Sequence, residues 1–98
     1  MSAAVFSPSP DGARWIARGE LTFASAGAAL SAANAMPLPS SGTIDCAGIT
    51  AADSSAVAVL LAIKRRATDA RAPLSFVAAP PVITTLAELY GVEAILAN

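Results

Sequence analysis

Asp53-Ser54-Ser55 is the densest group of side chains able to do chemistry in this sequence, and it sits directly before an apolar run from Ala56 to Ile63. A carboxylate beside two hydroxyls suits two tasks. It can satisfy the free N–H groups at the start of a helix, a cap worth about 1 kcal/mol, or it can hold an exposed hydroxyl at the rim of an apolar surface. Hydrolytic Ser-His-Asp or Cys-His chemistry needs an imidazole, and the chain has no histidine. Its single cysteine, Cys46, allows neither an intrachain disulfide nor a zinc cluster. In an apolar run a free thiol behaves as a small hydrophobe. Asp45 beside it reads as a half-buried carboxylate near the helix start, bonded to local backbone N–H groups. No Gly-x-x-x-x-Gly-Lys-Ser/Thr loop is present, and the acidic residues form no pair at helical spacing. No metal site and no cofactor are expected, and the residue types point away from an enzyme.

Placing these residues takes a folded core. The 98 residues are 55% hydrophobic and 13% charged, a balance opposite to that of disordered chains and sized for one domain over residues 1–98. Alanine supplies 25 positions, so the core rests on a limited set of Leu, Ile, Val and Phe. A net charge of −1 argues against a nucleic-acid binder, which carries a basic face. No signal-peptide pattern is expected at the N-terminus. No uninterrupted apolar run reaches membrane-spanning length, since Lys64, Arg65 and Arg66 follow Ile63. Together these readings permit a reducing, cytoplasmic location.

Residues 3–8 and 14–21 flank Ser9-Pro10-Asp11-Gly12, which reads as a β-hairpin turn. Pro8 and Pro10 put the first run at a sheet edge. An alanine-rich helix over 24–35, with Ser25 as N-cap, ends at Met36-Pro37-Leu38-Pro39. A short buried strand covers 43–49. The strongest helix runs from Ser54 to about Ala70. Four of the six basic residues, Lys64, Arg65, Arg66 and Arg71, complement the negative end of its dipole or contact an acidic partner or anionic headgroups. A strand over 73–78 precedes a helix from Pro81, at its first turn, to Tyr90, with Gly91 just beyond its end. Trp15 and Tyr90 are expected at the core edge, and Ile95 and Leu96 anchor a short apolar tail. The order is β-β-α-β-α-β-α, an α/β fold with a mostly parallel four-stranded sheet, an N-terminal hairpin and helices packed on it.

The central helix is apolar on two sides. Val57, Leu60 and Leu61 form one stripe, while Val59 and Ile63 fall nearly opposite, near Ala52 and Ala56. The hairpin or the tail could cover that second face. The reading preferred here is an exposed patch that meets another protein, which makes Asp53, Ser54, Ser55, Ala56, Val59 and Ile63 the expected partner interface.

The segment from Ile44 to Leu61 resembles the signature of STAS domains (sulfate transporter and anti-sigma factor antagonist): apolar-Asp-apolar-Ser/Gly in a strand, then Asp-Ser/Thr-Ser/Thr opening a helix. Gly19-Glu20-Leu21 is similar to the family's Gly-Glu-Leu. The segment Thr85-Leu86-Ala87-Glu88-Leu89-Tyr90-Gly91-Val92 is similar to the MlaB branch. Ala56 stands where the family usually has Gly, and Thr22 stands where many antagonists have Asp. The resemblance implies a non-enzymatic, cytoplasmic STAS subunit, peripheral to the inner membrane through its partner. That partner would be the MlaF-like ATPase of an MlaFEDB-like ABC phospholipid transporter that maintains outer-membrane lipid asymmetry. It also implies an alternative, an anti-sigma factor antagonist phosphorylated at Ser54 by an anti-sigma factor kinase. A small-molecule or lipid site in the alanine-rich crevice is a third reading.

Overall fold

The computed structural model of the chain describes residues 5–97, so the expected strand positions at residues 3 and 4 lie outside the described residues. The first element is set by its turn. Asp11 Oδ1 accepts from the Ser9 hydroxyl at 2.6 Å and from the Ala13 N–H at 3.0 Å, and Gly12 takes φ 73°. Those contacts, the Ser9 hydroxyl above all, hold the Asp11 carboxyl below its ordinary value. The turn brings β1 (Phe6–Pro8) antiparallel to β2 (Arg14–Leu21), with Phe6 opposite Ala17 and Pro8 opposite Trp15. As its prolines required, β1 is an edge strand.

From β2 onward the chain alternates: α1 (Phe23–Asn34), β3 (Thr43–Ala52), α2 (Ser54–Asp69), β4 (Ser75–Val77), α3 (Pro81–Leu89) and α4 (Glu93–Ala97). The sheet order is β1-β2-β3-β4, with β2–β3 and β3–β4 parallel. With right-handed crossovers, an order that advances steadily in one direction places α1 and α2 on the same face, and the two helices are in contact. One face of the sheet is therefore covered and the other is open. Trp15, Ala17, Leu21, Ile44, Cys46 and Ile49 are buried under the helices, while Arg18, Glu20, Ala47 and Thr50 are exposed.

The strand pattern in β3 breaks first at mid-strand, where Cys46 and Ile49 face the same way although they are three residues apart. The register explains it: Ile16 pairs with Asp45 but Arg18 with Gly48, so β3 carries an extra residue there. The crossing is tight, and a Cβ on Gly48 would lie 2.8 Å from the Ala17 carbonyl oxygen. A second shift, between Gly19 and Glu20, carries β3 on to Ala52, three residues past the strand expected from sequence.

The second apolar side of α2 is not a free patch. Ala56 and Ile63 are fully buried and Val59 is 3% exposed, which overturns the expected exposed interface at these three residues. The cover is α1, not the hairpin or the tail. Val59 faces Ala26 and Leu30 of α1. One stripe further down α2, Arg66 donates to the carbonyls of Ala33 (3.0 Å) and Met36 (2.7 Å) at the end of α1. Ile63 lies between them on that stripe. Alanine makes this possible, since Ala29, Ala33, Ala56 and Ala67 are buried and short enough to let helix and sheet approach closely.

Smaller corrections concern the helix ends. The N-cap of α1 is Thr22, not Ser25; Ser25 occupies the third helical position, where its Oγ accepts from the Thr22 N–H at 3.0 Å and donates to the Glu20 carbonyl at 2.7 Å. Trp15 is buried beside Phe6, ring centroids 6.0 Å apart, and its indole N–H donates to the Pro37 carbonyl at 3.2 Å. Tyr90 is 53% exposed, because it caps α3 at the point where the chain turns away. Gly91, at φ 70°, closes that cap, with the Val92 N–H donating to the Ala87 carbonyl at 2.9 Å. The tail forms α4; Leu96 is its buried anchor, while Ile95 points outward at 51% exposure.

Gly42 carries the tightest glycine constraint. It has φ 73°, its carbonyl accepts from the Ser75 N–H at 2.7 Å, and a Cβ would fall 2.7 Å from the Pro73 carbonyl oxygen. Gly12 has the same φ but open space around it. Gly12→Ala is expected to cost only left-handed strain, about 1–2 kcal/mol. Gly42→Ala should cost clearly more, because the Pro73 backbone must also move. Urea midpoints at unchanged m-value measure both; equal losses would contradict the close approach.

Candidate functional site

The starts of α1 and α2 meet at one carboxylate. Asp53 is the N-cap of α2, and its Oδ1 accepts from the Ser55 N–H at 2.8 Å. Its Oδ2 accepts from the Phe23 N–H at 2.9 Å, at the first position of α1. A single side chain thus serves free donors of two helices, whose positive dipole ends both favour its charge. The Phe23 backbone N–H is the largest influence holding the Asp53 carboxyl below its ordinary value of 3.8; burial opposes it, and the Ser55 N–H adds a lesser downward pull.

Around this clamp the surface is assembled from small parts. Ser54 occupies the first position of α2 with its side chain exposed, and among the described residues its hydroxyl has no hydrogen-bond partner. Ser55 is half-buried. Phe23 is 73% exposed, large and apolar, and tied by its own backbone to Asp53. Between the helices runs an open groove of about 310 Å³, floored by Val59 and flanked by Ala26, Gly27 and Leu30 on one side and Ser55 and Ala58 on the other. The structure therefore brings Asp53, Ser54 and Ser55 to one exposed rim and removes Ala56, Val59 and Ile63 from it. Chemically, the rim offers one free hydroxyl, one charge already engaged by two N–H groups, and an apolar lip.

The remaining candidates lie elsewhere. Asp45 is on the open face of the sheet, mid-strand, paired with Ile16 and Val77 and not beside the start of α2; its Oδ1 accepts from the Ala47 N–H at 2.9 Å, the local bond expected. Cys46 is fully buried, and burial, with a lesser push from Asp45, drives its thiol up to about 12. A thiol so hard to ionise is a core residue. Of the four basic residues, Arg66 ties α2 to α1 and Lys64 donates to the Leu74 carbonyl ahead of β4. Arg65 and Arg71 are exposed. Among the described residues no three His, Cys, Asp or Glu side chains gather as a metal site, and no helix is long and apolar enough to cross a membrane.

Phe23 is the residue the sequence reading missed. Its signal was present: a lone aromatic at the head of an alanine-rich helix, outside the periodic core pattern. Starting that helix at Ala24 concealed it.

The family model described as "Mlab, STAS domain" matches residues 13–97, and the chain belongs to that STAS domain family. STAS domains are interaction modules and are generally non-catalytic. No curated protein matches the chain.

The clamp has a pH signature. Because the folded pKa of Asp53 lies below its unfolded value, its contribution is complete above the unfolded pKa and is lost as pH falls through the folded one. Asp53→Ala should lower the urea midpoint near neutral pH, and the gap to wild type should narrow as both are titrated down below 3.8. A gap that stays constant with pH would show that the charge does not carry the clamp.

Proposed function

We propose that this chain is a cytoplasmic, non-enzymatic subunit that binds and regulates the ATPase of an ABC phospholipid transporter, and that it docks through the joined starts of α1 and α2. Membership in the MlaB-type STAS family supports the class of partner. The observation that carries the site is the Asp53 clamp, which holds an exposed Phe23 and an unpartnered Ser54 hydroxyl side by side at the mouth of the α1–α2 groove. Aromatic side chains, Phe among them, are enriched at protein interfaces. Through its partner the subunit sits at the inner membrane and serves outer-membrane lipid asymmetry. Ala56, Val59 and Ile63 take part only by fixing the spacing of α1 and α2 from below.

Ser54 also favours a second reading, an anti-sigma factor antagonist switched by a kinase. Its hydroxyl is exposed at a helix N-terminus, where a phosphate is tolerated by the fold and would add negative charge beside Asp53.

Co-expression with the ABC ATPase encoded nearest to it provides the test. The wild-type chain should co-purify, and Phe23→Ala and Ser54→Asp should each weaken the complex about tenfold while leaving thermal stability nearly unchanged. Variants that bind as well as wild type would remove the proposed surface. A gain of one phosphate on Ser54 after incubation with an anti-sigma factor kinase and ATP, with no ATPase binding, would favour the second reading instead.

A further inference from the structure

A second apolar space lies on the other flank of α2, sharing no residue with the Phe23–Ser54 rim. It is a half-open cavity of about 200 Å³ between α2, β4, α3 and α4, walled by Leu60, Phe76, Ile83 and Leu96, with Thr84 and Glu93 as its polar lining. An apolar cavity of about 150 Å³ takes up benzene, so a half-open space of about 200 Å³ with apolar walls has room for a hydrocarbon chain. Its roof is slight: α4 spans five residues, with Leu96 buried and Ile95 facing out. At its edge Ala78, just before the lining residue Ala79, holds φ 58°, one of two positive values at non-glycine residues among the described residues. Strained backbone of that kind persists where the surroundings enforce it and often borders binding sites.

We infer that this cavity binds an aliphatic amphiphile with a cationic head, its chain among Leu60, Phe76, Ile83 and Leu96 and its head at Glu93 and Thr84. The charge argument selects the head. Among the described residues Glu93 is the charged one lining the cavity, and no Lys or Arg lines it. An ammonium head gains a carboxylate partner and a hydroxyl acceptor, whereas a fatty-acid carboxylate meets like charge. The space admits the chain because Ala79 and Ala87 stand where larger side chains would fill it.

Octylammonium, with octanoate as the matched chain of opposite charge, tests the site by titration of the intact protein followed by two-dimensional NMR. Saturable shifts confined to the neighbourhood of Leu60 and to residues 76–96 are expected, with octylammonium bound about tenfold more tightly than octanoate. Ala87→Phe should abolish binding by filling the cavity; if it fails to fold, Ala79→Leu at the half-buried rim serves in its place. Glu93→Gln should retain chain binding and erase the preference for the cation. Absence of saturation, equal binding of both amphiphiles by the wild type, or undiminished binding by the filled variant would overturn the inference.

Discussion

Two helix starts on one carboxylate is the constraint from which the proposed surface follows. Each helix begins with N–H groups that have no partner within it. In α1 the first of these, at Phe23, is satisfied from 30 residues away by Asp53 and not by a local cap. Asp53 at the same time caps its own helix through Ser55. The relative height of α1 and α2 is thereby set at their N-terminal ends. At the other end Arg66 performs the reciprocal task, donating to the Ala33 carbonyl, which also accepts the Met36 N–H, and to the Met36 carbonyl just beyond α1. A carboxylate at the positive ends and a guanidinium at the negative end pin the two helices, and the alanines between them allow the separation to be small.

That arrangement reverses the meaning of the apolar residues on α2. A helix with apolar side chains on two sides invites the inference of an exposed patch. Here the helix is flanked by α1 on one side and by α3 and α4 on the other, while Val57 and Leu60 join the core that includes the inward side chains of the sheet. The exposed line left to it runs through Ser54, Ala58, Arg65 and Thr68. The large apolar groups that do reach solvent belong to other elements: Phe23 on α1, Val77 on β4, and Val82, Leu89, Tyr90 and Ile95 on or beside the C-terminal helices.

The order and type of nearly every element could be read from the sequence because punctuation and periodicity agree. Ser9-Pro10-Asp11-Gly12 marks the hairpin, Pro81 opens α3 and Gly91 ends it, and each residue does in the fold what its backbone chemistry dictates. Asp53 was legible as a cap of α2. Its second bond was not, since nothing in a linear pattern indicates that the N–H of Phe23 will arrive beside it. The burial of Val59 and Ile63 was illegible for a related reason. A wheel reports which residues share a side of a helix, but the neighbour on that side is decided by strand order and crossover hand. The bulge that turns Ile49 inward with Cys46 likewise needs the partner strand to be seen.

The proposed docking surface rests on a family membership and a rim of three small features, and hydrogen exchange on the proposed complex addresses it without altering it. Amide exchange of the chain alone and bound to the ABC ATPase should differ chiefly at residues 23–30 and 54–58, with slower exchange in the complex. Slowing confined to α3 and α4, or to the open face of the sheet around Asp45, with the helix starts unchanged, would place the partner elsewhere and contradict the reading of the Asp53 clamp as a presented surface.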